Sequence, residues 1–231
     1  MTTNTIYQDG SYLQNNPSWH QEHSQWKAAQ VSRMLRRNAL QPATIAEIGC
    51  GAGEILSCLA KEMGTQVRFS GYDISPQAYG LCSGKEQSNL RFKLADLLVE
   101  PETFDVALAI DVFEHVEDYR GFLRQFRQKA THKIFHIPLD LSVQTLLRAY
   151  PLAEMRNSVG HIHFFTKDMA LAVLAETGYG VQDWFYTRSS LELQQSWKSR
   201  LLKWPRALMF RVCEDFAVRV LGGCSLLVLA K

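Results

Sequence analysis

The chain has 231 residues, 46% of them apolar and 21% charged, an ordinary composition for a globular protein able to bury a core without disulfides or a structural metal. Lysine and arginine number 25 against 23 aspartates and glutamates, a net charge of +2, which excludes a protein whose main work is coating nucleic acid, since that needs a strong basic excess. No run approaches the roughly 18–20 continuous apolar residues of a membrane-spanning helix, and five cysteines without a CxxC pair fit reduced thiols in the cytoplasm better than a zinc site.

The opening stretch, MTTNTIYQDGSYLQNNP, is polar and lacks the basic-then-apolar pattern of a secretory signal. Ser18 offers an N-cap for an amphipathic helix that runs to about Leu40 and ends at Gln41-Pro42. Strand-like and helix-like segments then alternate. Thr44–Ile48 is a short β-prone run, and Glu54–Met63 is helical and stops at Gly64. Val67–Tyr72 reads as a second strand, and Ser75-Pro76 as the cap and first turn of a helix. Leu90–Leu94 is a third strand. Phe104–Ile110 is almost continuously apolar, as expected of a strand covered on both faces. A helix over Tyr119–Ala130 and a fifth strand over Lys133–Ile137 follow. Strand and helix in this rhythm give a parallel sheet with right-handed crossovers. Two late strands, Val181–Thr187 and Ser225–Ala230, return to the sheet and make the chain one domain, with a mostly helical stretch between them.

The chemistry starts where the first strand meets a glycine turn, Glu47-Ile48-Gly49-Cys50-Gly51-Ala52-Gly53. Glycines allow a tight turn and let a ligand approach the backbone, and in such sheets ligands lie at the carboxyl ends of the strands. The dinucleotide fingerprint GxGxxG would need glycine at position 54, where Glu54 stands. A glutamate at the helix N-terminus repels a pyrophosphate, whereas a sulfonium ligand without phosphates has no need of that anion site. Asp73, followed by Ile74, lies twenty residues beyond Gly53, a spacing that suits a carboxylate accepting from both ribose hydroxyls. Asp96 follows the third strand, where it can accept from an adenine amino group. Asp111 follows the fourth.

With EIGCGAG, GYD, LADL and FDVALAIDVFEHV in place over residues 43–187, the chain resembles the class I S-adenosylmethionine-dependent methyltransferases. The resemblance implies a Rossmann-like seven-stranded sheet of order 3-2-1-4-5-7-6, strand 7 antiparallel, with S-adenosyl-L-methionine as cofactor. It implies that Glu47, Gly49, Cys50, Gly51 and Gly53 line the methionine and ribose side, with Cys50 itself a small packing residue. Asp73 and Ile74 would hold the ribose, Asp96 and Leu97 the adenine, and Asp111 and Val112 would lie near the methionine end. Residues 1–42 would form a lid, 43–187 the cofactor core, 188–223 a helical insert and 224–231 the last strand. From the lid, Trp26 or Lys27 would reach the methionine carboxylate or the adenine.

Methyl transfer is an in-line displacement, so the protein supplies proximity, alignment and, where needed, a base. Histidine is the natural base near neutrality, and there are seven. In Gly160-His161-Ile162-His163, the two imidazoles share one side if the segment is extended, and both are candidates for the base or an acceptor contact. Asp111, Glu114 and His115 form D-x-x-E-H; a similar E-x-x-E-H helps bind a divalent ion in some relatives, but His115 is read here as structural and no metal is expected. Residues 188–223 carry Trp197, Lys198, Arg200, Lys203, Trp204, Arg206, Arg211 and Arg219 among apolar residues. They suit a wall of the pocket or a dimer face, and less well a contact with a membrane surface. The expected activity is methylation of oxygen or nitrogen in a small molecule, a sugar or a biosynthetic intermediate. The rivals are a non-catalytic partner protein and a nicotinamide oxidoreductase, the latter opposed by Glu54 and by the absence of a Tyr-x-x-x-Lys pair.

Overall fold

The computed structural model describes residues 16, 18–19, 21–148, 150–193 and 203–231, the last of these with backbone alone at 203–206. In chain order the elements are α1 (Ser24–Arg37), β1 (Thr44–Ile48), α2 (Glu54–Met63), β2 (Arg68–Asp73), α3 (Pro76–Cys82), β3 (Leu90–Leu94), β4 (Phe104–Ile110), α4 (Tyr119–Phe126) and β5 (Ala130–Pro138). Then come α5 (Val143–Arg148), α6 (Tyr150–Ser158), α7 (Lys167–Glu176), β6 (Val181–Thr187), α8 (Ser189–Glu192), α9 (Lys203–Val212), α10 (Glu214–Leu221) and β7 (Ser225–Ala230). The strands form a seven-stranded sheet of order β3-β2-β1-β4-β5-β7-β6. The first five are parallel, and β7 runs antiparallel between β5 and β6.

Both faces of the sheet are covered, which is why β4 is apolar at consecutive positions. Val106, Leu108 and Ile110 point one way, into a core with Val31 and Met34 of α1 and Leu56 and Leu59 of α2. Ala107 and Ala109 point the other way, toward Phe122 and Phe126 of α4 and Val173 and Leu174 of α7. Each fully buried Leu or Phe contributes about 1.5–3 kcal/mol of transfer free energy, and the two cores together hold the strand ends in fixed register. The carboxyl ends of β1, β4 and β5 meet at one edge, and β7 begins there, with Ser225 opposite Pro138.

Caps set the entries of the helices. Ser75 accepts from the Ala78 N–H at 3.3 Å, and Thr166 from the Met169 N–H at 3.3 Å. Several boundaries differ from the sequence reading. Ser18 does not cap the first helix: its hydroxyl bonds Glu22 at 2.8 Å, a short 3₁₀ turn (Gln21–His23) intervenes, and the helix proper spans Ser24–Arg37. The helix after β4 stops at Phe126, and a 3₁₀ turn (Arg127–Lys129) leads into β5. β5 starts at Ala130 because its ladder with β4 already pairs Phe104 with Ala130. No helix among the described residues is long and apolar enough to cross a membrane.

Candidate active site

β1 delivers the chain into the glycine turn, and the turn's backbone dictates its composition. Gly51 and Gly53 sit at φ +55° and +73°, the left-handed region that costs L-residues about 1–2 kcal/mol. Space forbids a side chain as well: a Cβ on Gly53 would stand 2.5 Å from the Phe92 ring, and one on Gly51 would stand 2.8 Å from Trp19. Asp73, the last residue of β2 and 9% exposed, accepts from the Gly51 N–H and the Ser75 N–H, each at 2.8 Å. Burial pushes its pKa up while those N–H groups pull it down. One lone pair on each oxygen therefore already locks the turn, and a second on each remains. Glu54, at the start of α2, pairs with Lys85 at 2.8 Å, so part of the charge that would repel a pyrophosphate is neutralised.

A cavity of about 530 Å³ opens beside this turn. Of the residues picked from the sequence, Glu47, Gly49, Cys50, Gly51, Asp111 and His161 line it, as do Trp26, Lys27 and His115. Gly53, Asp73, Ile74, Asp96, Leu97, Val112 and His163 do not. Leu97 is fully buried in the core, Val112 lies against Gly49, Ile74 is exposed, and Asp96 accepts from the Leu98 N–H at 2.9 Å. Asp73 and Asp96 thus mark the β2–β3 end of the strand edge, beyond the cavity wall.

Charge is concentrated at the cavity. Asp111 follows β4 with a positive φ of 55°. Its oxygens meet Lys27 Nζ at 2.7 Å and His136 Nδ1 at 2.5 Å. Burial works against its ionisation, but His136 and Lys27 outweigh that and hold the carboxyl well below the usual range. Burial also opposes the Lys27 ammonium, yet Asp111, with Glu114 and Glu47 behind it, raises its pKa. Glu47 and Glu114 are each 1% exposed. One oxygen of Glu47 and both of Glu114 lack a hydrogen-bond partner among the described residues. Burial pushes both carboxyls well up. Helix α1 is tied to this cluster by Lys27, and Trp26 on the same helix donates its indole N–H to Glu192 at 2.7 Å.

The two candidate histidines part company. His161, 9% exposed, lines the cavity and bonds Asp140 through Nδ1 at 2.8 Å. His163 places Nε2 on the Val116 and Glu117 carbonyls at 3.0 and 3.3 Å, and its ring on Tyr119. The segment joins no strand. Instead the Glu114 carbonyl takes the N–H groups of both Ile162 and His163 at 3.1 Å. His115 bonds the Gly160 carbonyl through Nδ1 at 3.1 Å, with its ring 4.8 Å from that of His161. One ligand atom each from Glu114, His115 and His161 lies within 4.8 Å of the others, a donor set of the kind that suits a divalent ion.

Sequence reasoning passed over His136, Asp140 and Thr187. His136 bonds Asp111 through Nδ1 and Thr187 Oγ1 through Nε2 at 2.9 Å. Its signal was present: it lies at the carboxyl end of β5, as Asp111 does for β4. Of the basic insert, Trp197, Lys198 and Arg200 lie outside the described residues, as do the side chains of Lys203, Trp204 and Arg206 and, in the lid, His20. Arg211 is exposed, and Arg219 pairs with Asp168 at 2.6 Å. Ser189 and Leu193 contribute to the cavity wall.

A family model described as a methyltransferase domain matches residues 18–183, the span that holds the sheet edge and the cavity. The chain belongs to the class I S-adenosylmethionine-dependent methyltransferases. It is 33% identical over 103 residues to a ubiquinone biosynthesis O-methyltransferase of Rhodopseudomonas palustris, covering 39% of each chain. It is 32% identical over 93 residues to norajmaline N-methyltransferase of Rauvolfia serpentina, covering 37% of this chain and 31% of that one. The matches therefore span under half the length of these curated relatives. Among solved structures, magnesium protoporphyrin IX methyltransferase of Synechocystis with bound S-adenosylhomocysteine aligns with a TM-score of 0.60 at 16% identity, over 89% of this chain and 82% of that one. A putative methyltransferase of Haloferax volcanii in complex with the activator Trm112 aligns with a TM-score of 0.65 at 14% identity, over 100% and 96%. At these identities the structures share the fold.

Proposed function

We propose that this methyltransferase modifies an oxygen or nitrogen of a small molecule, a sugar or a biosynthetic intermediate, with His161 as general base. One observation carries the reading: the glycine turn (Gly49, Gly51), the acidic Glu47 and His161 line a single cavity, of a size that suits a small ligand. The residues fit the cofactor. Gly51 and Gly53 have no room for side chains, the Asp73 oxygens keep lone pairs for ribose hydroxyls, and one buried Glu47 oxygen has no hydrogen-bond partner among the described residues. S-Adenosylmethionine supplies an activated methyl group when bound. Asp73 and Ile74 would hold the ribose side, Asp96 and the Leu97 backbone the adenine side, and Glu47, Asp111 and Lys27 the amino-acid end. His161 takes the acceptor's proton, and His163, anchored on two carbonyls, holds the segment that carries it.

The chain is read as one domain: lid at 1–42, core at 43–187, insert at 188–223 and last strand at 224–231. Its five free cysteines fit a reducing compartment, the cytoplasm. The test is transfer of labelled methyl from S-adenosylmethionine into a small-molecule extract. Label in a new low-mass product is the expected result. Label nowhere but in the parent cofactor would favour the non-catalytic partner reading.

A further inference from the structure

Asp140 and His161 lie 21 positions apart, at the two ends of the excursion that contains α5 and α6. The 2.8 Å contact between Asp140 Oδ2 and His161 Nδ1 closes that excursion at the cavity. Both ends are fixed from behind. On the Asp140 side, the Leu139 N–H donates to the Cys224 carbonyl at 3.1 Å, the Leu141 N–H to the Phe165 carbonyl at 3.3 Å, and Thr145 Oγ1 to the Asp140 carbonyl at 2.6 Å. On the His161 side, Glu114 holds Ile162 and His163 through its carbonyl, and Gly160 holds His115. The pair is therefore held by its surroundings, with 14% of the Asp140 side chain and 11% of the His161 side chain exposed.

The chemistry of the contact decides which nitrogen can act. A carboxylate accepts, so Nδ1 carries the proton and Nε2 is left as the basic nitrogen. Nε2 has no hydrogen-bond partner among the described residues, and His161 lines the cavity. The neighbouring imidazoles are placed differently. His136 uses both nitrogens, on Asp111 and Thr187, and His115 places Nδ1 on the Gly160 carbonyl and Nε2 3.9 Å from a Glu114 oxygen. The carboxylate bonded to His161 Nδ1 also steadies the imidazolium that forms when a base takes a proton.

We infer that Asp140 is a positioning residue: it fixes His161 as the Nδ1–H tautomer, presents Nε2 to the methyl acceptor, and couples the base to the ends of the α5–α6 excursion. The inference rests on the reading of His161 as the base. It is tested without any acceptor, by ¹⁵N NMR of the full chain labelled at histidine and saturated with S-adenosylhomocysteine, with His161 assigned by its loss in His161→Asn. The expected spectrum of the parent shows His161 mainly protonated on Nδ1. In Asp140→Ala the greater part of that signal moves to the Nε2–H form, while affinity for S-adenosylhomocysteine stays within about twofold of the parent. A parent spectrum in which the assigned His161 signal is mainly Nε2–H overturns the inference, and needs nothing of Asp140→Ala. So does an Asp140→Ala spectrum that keeps Nδ1–H while only the melting temperature falls. The base reading fails separately: His161→Ala that labels the extract as fast as the parent removes the base, whatever the tautomer.

Discussion

The β1–β2–β3 half of the strand edge and the β4–β5–β7 half solve different problems by different means. On the first, backbone does the work: glycines with positive φ, and an aspartate held by the N–H groups of Gly51 and Ser75. On the second, side chains converge from distant places: Lys27 from α1, Asp111 after β4, His136 from β5, Asp140 after it, His161 after α6 and Thr187 from β6. A site made of backbone tolerates almost no change in residue type yet is blind to the acceptor. A site made of side chains can be altered one residue at a time without losing the fold. Under the proposed function, the first half would hold the ribose and adenine, and the second half the cofactor's amino-acid end, through Asp111 and Lys27, and the acceptor, through His161.

Substitutions can break that division. The largest effect is expected from His161→Ala, which should lower turnover by about 10²–10⁴-fold, the usual contribution of a positioned base, with affinity for S-adenosylhomocysteine unchanged in a calorimetric titration. Loss of affinity as large as the loss of turnover would join the two halves into one. Gly53→Ala acts in the first half. It meets both a left-handed φ and the Phe92 ring at 2.5 Å, and should cost roughly 1–3 kcal/mol of stability, read from urea unfolding. Asp73→Ala should weaken S-adenosylhomocysteine by about 1–3 kcal/mol, the scale of hydrogen bonds to a charged group. An unchanged dissociation constant would take the ribose away from Asp73.

Glu114 sharpens the contrast through pH. Its folded pKa is raised, first by burial and then by Asp111, so the native state holds a proton that the unfolded state releases above about pH 4.3. Between that value and the raised one, parent stability falls as pH rises, by up to about 1.4 kcal/mol per pH unit. Glu114→Gln has no such proton, so its urea midpoint should gain on the parent between pH 4 and pH 7. A gap between the two that is the same at both pH values would show that burial leaves this carboxyl unperturbed. The smallest expected effect is none: with His161 as the base, extensive dialysis against a chelator should leave methyl transfer intact. Loss of activity that manganese or zinc restores would turn His161 from base into ligand, beside Glu114 and His115.

The same division explains what the sequence disclosed. The strands and the glycine turn were legible because strand period, EIGCGAG and the strand-end acids are local patterns; the sheet order followed from the family resemblance that those motifs carry. The length of β5 was not, because its first pairs with β4 are a property of two strands. In the cavity, Asp111 and His161 were legible as strand-end and loop residues with the right chemistry. Their partners were not: nothing near Asp140 in the chain says that α5 and α6 fold back to bring His161 to it. The expectation that His161 and His163 share a face assumed an extended segment free to alternate. The Glu114 carbonyl takes two successive N–H groups there, and the imidazoles go to separate partners.

Calorimetric titration of the full chain with S-adenosylhomocysteine and, separately, with NADH bears most directly on the whole account. It predicts one S-adenosylhomocysteine bound per chain and no heat of binding with NADH. Silence with the first ligand, or saturable binding of the second, would contradict it.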